Sequence, residues 1–334
     1  MTTFDVLAPS PLPPPRDPAW RGIDVGVVLI ATVFCMVLAL LLGAILLPIV
    51  VPMHAAFTAT DTRFMLVAQT VGFAGGFGFA ALWITRLYEV PFWRAIHWTP
   101  LRGEQVWRLA LLGVVLSLGL QGLEHFLPIP KKLPIDRLFT PQTAWLLTLY
   151  GVVIAPFFEE FLFRGLIYPS LRRTFAEGMT AAEARGWEPF VWLGALSTMA
   201  MAGIGLLLRH LRGDPATSRL RMIVVAALLI AVAARPLLML LAAGTRALSR
   251  HHHAQLFAIV LTGILFGLVH SGQLANAWAP VLLLSLVGII LTVVRAVTNS
   301  LVASWLVHSI YNGTLFGLLF LGTHGFHNFD KLVP

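Results

Sequence analysis

Long apolar segments separated by short polar ones run through the whole sequence. About 20 apolar residues are enough to cross a bilayer as an α-helix. By that measure the sequence predicts nine helices, at residues 23–51, 64–86, 107–127, 143–171, 190–208, 221–243, 255–270, 278–294 and 299–321. No stretch alternates apolar and polar residues as a half-buried strand does. We therefore predict an all-α fold, a polytopic integral membrane bundle of about eight or nine transmembrane helices.

The composition agrees with this interpretation and excludes a soluble globule. Of the 334 residues, 58% are hydrophobic and 11% are charged, whereas soluble domains carry about 25% charged residues. Cys35 is the only cysteine, so the chain has neither an intrachain disulfide nor a cysteine-based zinc site. The formal net charge of +8 is typical of basic loops beside anionic lipid head groups. The sequence has no basic patch interleaved with aromatic residues, which would indicate nucleic acid as a partner. We therefore expect the lipid bilayer, and not nucleic acid, to be what the basic loops contact.

Arginine and lysine residues in short loops predict the orientation, since they favour the cytoplasmic side. A cytoplasmic N-terminus places most of the loop arginines on one side, namely Arg16, Arg21, Arg86, Arg94, Arg102, Arg108, Arg172, Arg173, Arg246, Arg250 and Arg295. The basic loops at 131–137 and 209–221 disagree with this arrangement. The two segments within 190–243 could explain part of that disagreement if they form a re-entrant pair. In either case they return the chain to the side of the membrane that it left, so the predicted sides of the later loops do not change.

A few polar side chains lie inside the predicted helices, where an ionisable group is costly and usually faces a cavity or a partner. They fall on three helices: Glu159, Glu160 and Arg164 in FFEEFLFRG, His270 in LFGLVHSG, one turn after the aromatic Phe266, and His308 and Asn312 in WLVHSIYNG. A chain this apolar has few such groups, so we take these seven as the candidate site.

The spacing of these residues predicts how they are arranged. Glu160 and Arg164 are four residues apart and share a helix face, which predicts an ion pair. Glu159 points about 100° away from Glu160, so that one carboxylate is held by arginine while the other faces a cavity. The helical rise places Glu159, His270 and His308 at similar depth, and we expect them to meet in one cavity that opens to the cytoplasm.

The chemistry of this set favours hydrolysis of an amide bond. A glutamate and a histidine together can bind a water molecule and take its proton, and a second histidine with an asparagine can stabilise a developing oxyanion. Glu159, His270 and His308 would also make three zinc ligands with an open position, although the HExxH signature is absent. An aspartyl dyad is excluded because no aspartate lies well inside a span, and no GxSG serine motif is present.

Three short motifs resemble those of a known family. EEFLFR matches EExxxR, FGLVH matches FxxxH and HSIYN matches HxxxN of the CAAX-protease and bacteriocin-processing family. That family is also called CPBP or Abi, and it includes the type II CAAX prenyl endopeptidases. The resemblance implies that Glu159 activates water together with His270 and that His308 and Asn312 form the oxyanion hole. Supporting roles are implied for Glu160 and Arg164. Phe266 is the third supporting residue that we expect, because it lies one turn from His270, where its ring would wall the same cavity.

We predict a single transmembrane domain at 23–321, between a disordered Pro-rich tail at 1–22 and a C-terminal tail at 322–334. Its catalytic core is expected at 143–173 and 255–315, the parts that resemble the family. About 100 residues separate the EExxxR and FxxxH motifs in this chain, whereas family members usually have a short stretch there. An inserted helical pair at about 190–243 is predicted to occupy this interval.

The resemblance implies an intramembrane endopeptidase that acts on a peptide or protein C-terminus, with a prenylated end as one option. No resident cofactor is expected, and zinc held by Glu159, His270 and His308 is the alternative. A bacterial inner membrane is expected, with the N-terminus and the active site facing the cytoplasm. A non-catalytic bacteriocin-immunity or partner-binding membrane protein stays open as a different class. A proton-relay transporter through Glu159 is a weaker alternative, because no inverted repeat supports it.

Overall fold

The computed structural model describes residues 17–50, 62–130, 132–211, 218–249 and 253–329. The α-helices are α1 (Gly22–Val50), α2 (Thr62–Tyr88), α3 (Phe92–Ala95), α4 (Gly103–Glu124), α5 (Ala144–Leu149), α6 (Ala155–Glu160), α7 (Tyr168–Glu177), α8 (Ala181–Leu211), α9 (Ser218–Leu248), α10 (Ala254–Val269), α11 (Trp278–Thr298) and α12 (Leu301–Gly322). Short 3₁₀ turns lie at Pro134–Leu138 and Ser271–Leu274. The ranges described contain no strand, which confirms the all-α prediction.

Within the described residues, seven helices are long and apolar enough to cross a membrane, and Ala254–Val269 is a shorter apolar helix. The predicted segment at 190–208 lies inside α8, and the one at 255–270 corresponds to α10. The chain is therefore a polytopic helical integral membrane protein, as the apolar pattern predicts. Residues 1–16 and 330–334 of the two predicted tails lie outside the described residues, and the domain bounds stay a prediction.

One membrane helix is assembled from α5, α6 and α7, and we call Ala144–Glu177 the composite helix. Its three parts are joined by π-helical turns at Tyr150–Ile154 and Phe161–Ile167. In each turn an N–H donates five residues back, from Ala155 to Tyr150 and from Tyr168 to Phe163. A proline lies two residues after the end of each turn, Pro156 after the first and Pro169 after the second, and since proline has no N–H the regular ladder is interrupted there. Wide turns of this kind are frequent at functional sites.

The composite helix lies among the other helices. It contacts α12 through α6 and α10 through α7, while α10 packs on α11, α12 packs on α4 and α1 packs on α2. The pair α8 and α9 packs mainly on itself and meets the rest of the bundle at α1 and α7. The charged segment at 159–164 is thus placed in the interior, and the predicted inserted pair lies at the edge.

The helices of the inserted pair are long. Each of α8 and α9 has 31 residues, which is about 46 Å at 1.5 Å per residue. The hydrocarbon core of a bilayer is only about 30 Å thick. Of the two, α9 is among the helices of the described residues that are long and apolar enough to cross a membrane, whereas α8 is not. The re-entrant pair considered from the sequence therefore stays a prediction.

The bundle has two different ends. One end gathers the starts of α1, α4, α8, α10 and α12, and we call it the arginine-rich end. Two contacts tie its parts together: Arg21 Nη1 lies 2.7 Å from Glu183 Oε1, and the Leu301 N–H donates to the His97 carbonyl at 2.9 Å. The described arginines near this end are Arg21, Arg86, Arg94, Arg102, Arg108, Arg172, Arg173, Arg185, Arg246 and Arg295. The opposite end is formed by the connections at 125–143 and 270–277.

The segment before α1 anchors the composite helix at the arginine-rich end. Trp20 is 1% exposed, and its indole N–H donates to the Leu166 carbonyl at 3.4 Å. Arg173 donates to the carbonyl of Trp20 at 3.1 Å. His97 lies 3.0 Å from Asp17, and this hydrogen bond lowers the pKa of the Asp17 carboxyl. Pro18 and Trp20 are therefore buried, although the sequence places them in a disordered tail.

Glycines allow α10 and α11 to approach closely. A Cβ added at Gly263 would lie 2.5 Å from the Ile289 backbone nitrogen, and one added at Gly288 would lie 2.8 Å from the Gly263 carbonyl oxygen. Small residues at a membrane helix interface let the two backbones come together. This contact fixes α11 beside the composite helix, because α10 touches both.

We expect Gly263→Ala to lower the stability of the bundle. The new methyl group meets backbone rather than a flexible side chain, and overpacking of this kind costs about 1–3 kcal/mol. Thermal unfolding in detergent checks this, with Gly119→Ala as the control, since nothing lies within 4 Å of its added Cβ. Equal unfolding temperatures for the two variants would contradict the close-approach interpretation.

Candidate active site

Glu160 and Arg164 form an ion pair in the interior of the bundle. Glu160 Oε1 lies 2.9 Å from Arg164 Nη1, and both side chains are 0% exposed. This is the contact that their four-residue spacing predicts. A buried pair of charges is stable only when its remaining hydrogen-bonding groups are also satisfied, so the neighbours of this pair matter.

Arg164 is held by α11 and by an aromatic ring. Its Nε donates to the Thr292 hydroxyl at 3.2 Å and its Nη2 donates to the Gly288 carbonyl at 2.7 Å. The guanidinium carbon lies 4.5 Å from the centroid of the Phe266 ring, within the range of a cation–π contact. Phe266 thus supports the charged pair as well as lining the cavity.

Glu160 also fixes the orientation of His308. Its Oε1 lies 2.9 Å from His308 Nδ1, and a carboxylate that already accepts from arginine accepts from Nδ1–H. The other ring nitrogen, Nε2, is then directed at Glu159, with 3.7 Å between Nε2 and Glu159 Oε2. The two adjacent glutamates therefore contact the same imidazole from its two nitrogens.

A second imidazole faces Glu159 from α10. His270 Nε2 lies 3.6 Å from Glu159 Oε1, and His270 Nδ1 lies 2.7 Å from the Phe266 carbonyl oxygen. A carbonyl only accepts, so Nδ1 carries the hydrogen and Nε2 of the neutral ring is an acceptor. Glu159 thus lies between two imidazole Nε2 atoms, and its side chain is 23% exposed whereas that of Glu160 is fully buried.

Asn312 is positioned by a carbonyl group that the composite helix leaves free. Its Nδ2 donates to the Gly151 carbonyl at 2.6 Å. Gly151 lies in the first π-helical turn, where the donor five residues on would be Pro156, which has no N–H. Since an amide group has two hydrogens, one holds Asn312 in place and the other is available to a ligand.

These residues meet at a cavity of about 410 Å³. Glu159, Phe266, His270, His308 and Asn312 all line it, whereas Glu160 and Arg164 lie behind its wall. The rest of the lining is mostly apolar: Leu66, Gln69, Ile135, Leu138, Phe139, Leu147, Tyr150, Gly151, Ala155, Gln273, Leu274, Leu284, Tyr311, Leu315, Phe316 and Leu319. All seven side chains singled out from the sequence therefore come together around one space.

The cavity extends towards the opposite end of the bundle. Its lining includes Ile135 and Phe139 from the connection after α4, Gln273 from the connection after α10, and Leu319 near the end of α12. Each of these lies far from the arginine-rich end, where α1 begins. The sequence analysis expected the cavity and the N-terminus on the same side. This fold separates them, because the composite helix enters from the opposite end and Glu159 lies just before its midpoint, on the half nearer that end.

A metal site has no preformed geometry among the described residues. No group of three or more His, Cys, Asp or Glu side chains in those ranges is arranged to hold a metal ion. Glu159, His270 and His308 are instead arranged with one carboxylate between two ring nitrogens.

Several contacts at the site could not be found from the sequence. Thr292 and the carbonyls of Gly288 and Gly151 hold Arg164 and Asn312, and a backbone carbonyl carries no sequence signature. Pro156 gave the one available signal, since a proline inside an apolar helix releases a carbonyl four or five residues before it.

Comparison with known proteins places this chain in a class of membrane endopeptidases. A sequence model described as type II CAAX prenyl endopeptidase Rce1-like matches residues 141–314, just over half of the chain. The chain belongs to this family. The match contains all three motifs and confirms the resemblance drawn from them. No curated protein and no solved structure matches the chain.

We expect Arg164→Ala to destabilise the protein strongly. The substitution leaves the Glu160 carboxylate buried without its cation, and breaking a buried pair in this way costs about 3–5 kcal/mol. Unfolding in mixed detergent, followed by tryptophan fluorescence, measures the loss. Arg108→Ala is the matched control, since Arg108 and Glu104 form the same four-residue pair with both side chains more than three-quarters exposed. A loss no larger than that of the control would show that the buried pair is dispensable.

Proposed function

We propose that this protein is an intramembrane endopeptidase that hydrolyses a peptide bond with Glu159 and His270 as the water-activating pair. The observation that carries the proposal is the position of Glu159, the one partly exposed carboxylate of the site, facing the Nε2 atoms of both His270 and His308 across a cavity. Membership of an endopeptidase family supports the reaction class.

Water activation follows from the two acceptors on one side of the site. A water molecule beside Glu159 and His270 donates to the carboxylate and to Nε2, which orients its lone pair towards a substrate carbonyl. Glu159 takes the proton as the water oxygen bonds to the carbonyl carbon. When the C–N bond breaks, the same proton is returned to the leaving amine. The residues then regain their starting protonation.

Oxyanion stabilisation is assigned to His308 and Asn312. His308 donates through Nε2 only in its protonated form, because Nδ1–H already bonds to Glu160. The Glu160 carboxylate stabilises that imidazolium, as a buried carboxylate does in other hydrolases. The second amide hydrogen of Asn312 is the other donor, held in place by the bond to Gly151.

The charge balance of the interior supports one extra proton on the histidines. Glu159 and Glu160 contribute two negative charges and Arg164 contributes one positive charge. A single proton shared by the His270 and His308 rings makes the group neutral, and a membrane interior favours neutrality. We propose that this proton resides on His308 when the oxyanion forms.

The proposed substrate is a peptide or protein C-terminus with apolar side chains. The cavity wall is formed mostly by leucine, isoleucine and phenylalanine, which suits an apolar segment, and a prenyl group would also satisfy it. We propose a bacterial inner membrane as the location. Because arginine favours the cytoplasmic side, we propose that the arginine-rich end is cytoplasmic and that substrate reaches the cavity from the bilayer or from the other side.

Glu159→Gln should abolish cleavage while leaving the fold intact. The amide cannot take a proton from water, so the rate should fall at least about a thousandfold. Purified wild type, Glu159→Gln and the exposed control Glu104→Gln are incubated with a peptide pool that includes farnesylated CAAX peptides, with and without EDTA, and read by mass spectrometry.

Cleavage by wild type and Glu104→Gln only, in the presence of EDTA, is the expected result. Activity that EDTA removes and zinc restores would favour a zinc centre held by Glu159, His270 and His308. Cleavage that persists in Glu159→Gln would overturn the mechanism. If no protein cleaves any peptide while a partner is retained, the non-catalytic binding class is favoured instead.

The proposed orientation can be tested with single cysteines. In a Cys35→Ser background, Lys132→Cys places a thiol at the opposite end and Arg94→Cys places one at the arginine-rich end. Intact spheroplasts treated with a membrane-impermeant maleimide should label the first variant only, and the second should react after permeabilisation. The reverse pattern would place the far end of the cavity in the cytoplasm and the N-terminus outside.

A further inference from the structure

Tyr150 is a buried polar residue that the proposed mechanism leaves unused. It is 9% exposed, and its hydroxyl is buried with no hydrogen-bond partner among the described residues. It also lines the cavity that contains Glu159. A buried hydroxyl without a partner is costly in an apolar interior, so its presence in the cavity wall points to a partner that arrives with a ligand.

The surroundings of Tyr150 are apolar. It packs in a cluster with Leu66 and Leu147, against which Phe139 and Phe316 also pack. In the described residues no side chain of this cluster offers its hydroxyl an acceptor or donor. The Tyr150 hydroxyl is therefore a polar group in an otherwise apolar cluster of the cavity wall.

The position of Tyr150 separates it from the reacting atoms. It precedes Glu159 by nine residues on the composite helix, which is about 13 Å at 1.5 Å per residue. Helical side chains lean towards the start of their helix, so the side chains of Tyr150 and Glu159 both lean towards the opposite end and the spacing between them is kept. Tyr150 is thus placed to bind substrate and not to take part in bond cleavage.

A peptide supplies the partner that this hydroxyl lacks. An extended chain that enters an apolar cavity loses water from its N–H and C=O groups, and each then requires a new hydrogen bond. A hydrocarbon chain such as an isoprenoid has no group that could bond to the hydroxyl. At about 3.3 Å per residue, the 13 Å between Glu159 and Tyr150 corresponds to about four residues of extended peptide.

We propose that the Tyr150 hydroxyl hydrogen-bonds a backbone group of an extended peptide about four residues from the scissile bond. Tyr150 is then a substrate-binding residue, and this part of the cavity takes apolar peptide side chains. The assignment rests on the proposed endopeptidase function for the identity of the scissile bond. Binding itself does not require cleavage, which allows the two to be tested apart.

The test measures peptide binding in a chain that is not expected to cleave. Two proteins are compared in detergent: the Glu159→Gln variant and the double variant Glu159→Gln with Tyr150→Phe. Each is titrated with a fluorescein-labelled apolar decapeptide, farnesylated or unmodified, and with a tetrapeptide taken from the centre of that decapeptide. Tyr168→Phe in the same background is the matched control. Tyr168 lies on the same helix and is 1% exposed, but it is not part of the cavity wall.

We expect Tyr150→Phe to weaken binding of the decapeptide about tenfold and to leave binding of the tetrapeptide unchanged. Tyr168→Phe should leave binding of both peptides unchanged. Equal decapeptide affinities with and without Tyr150→Phe, including no binding to either protein, would overturn the assignment. An equal loss of affinity for both peptides would do the same, and so would an equal loss in Tyr168→Phe. If Tyr150→Phe weakens decapeptide binding but the wild-type protein cleaves no peptide, the proposed endopeptidase function is rejected and the peptide-binding role of Tyr150 is retained.

Discussion

The buried ion pair between Glu160 and Arg164 is the contact on which the site depends. Neither charge can stay in the interior without the other, and the guanidinium of Arg164 finds its remaining acceptors on α11, at the Thr292 hydroxyl and the Gly288 carbonyl. The same carboxylate contacts His308 on α12. Three membrane helices are therefore held in one arrangement by a requirement to satisfy two charges. The close approach of α10 and α11 at Gly263 and Gly288 brings the carbonyl within reach.

Two adjacent glutamates have different surroundings because a helix turns about 100° between neighbouring residues. Glu160 faces the protein interior and is neutralised, whereas Glu159 faces the cavity and two imidazole rings. A carboxylate that is neither exposed to bulk water nor paired with arginine is the kind of group that can exchange a proton with a bound water. Its supporting partner is its own neighbour in sequence, which links the stability of the interior to the chemistry proposed for the cavity.

Departures from regular helix shape the cavity. The π-helical turn at Tyr150–Ile154 and Pro156 release the Gly151 carbonyl for Asn312. The short helix α10 ends at Val269, so that His270 and the 3₁₀ turn after it line the same space. Irregular backbone at membrane depth is tolerated where it is buried in protein or faces a cavity. The Gly151 carbonyl freed in this way positions Asn312, towards the end of the bundle away from the arginine-rich loops.

The sequence by itself determined the class of fold and the Glu160–Arg164 pair and supplied the seven candidate residues, because apolar runs and four-residue spacings are local patterns along a single helix. The three motifs likewise indicated the family that the comparison confirmed. Only the tertiary structure decided which backbone carbonyls hold Arg164 and Asn312, which nitrogen of each histidine faces Glu159, and towards which end the cavity extends. Those features depend on contacts between residues that are more than a hundred positions apart. Such contacts are set by how helices pack, and a backbone carbonyl looks the same at every position of a sequence.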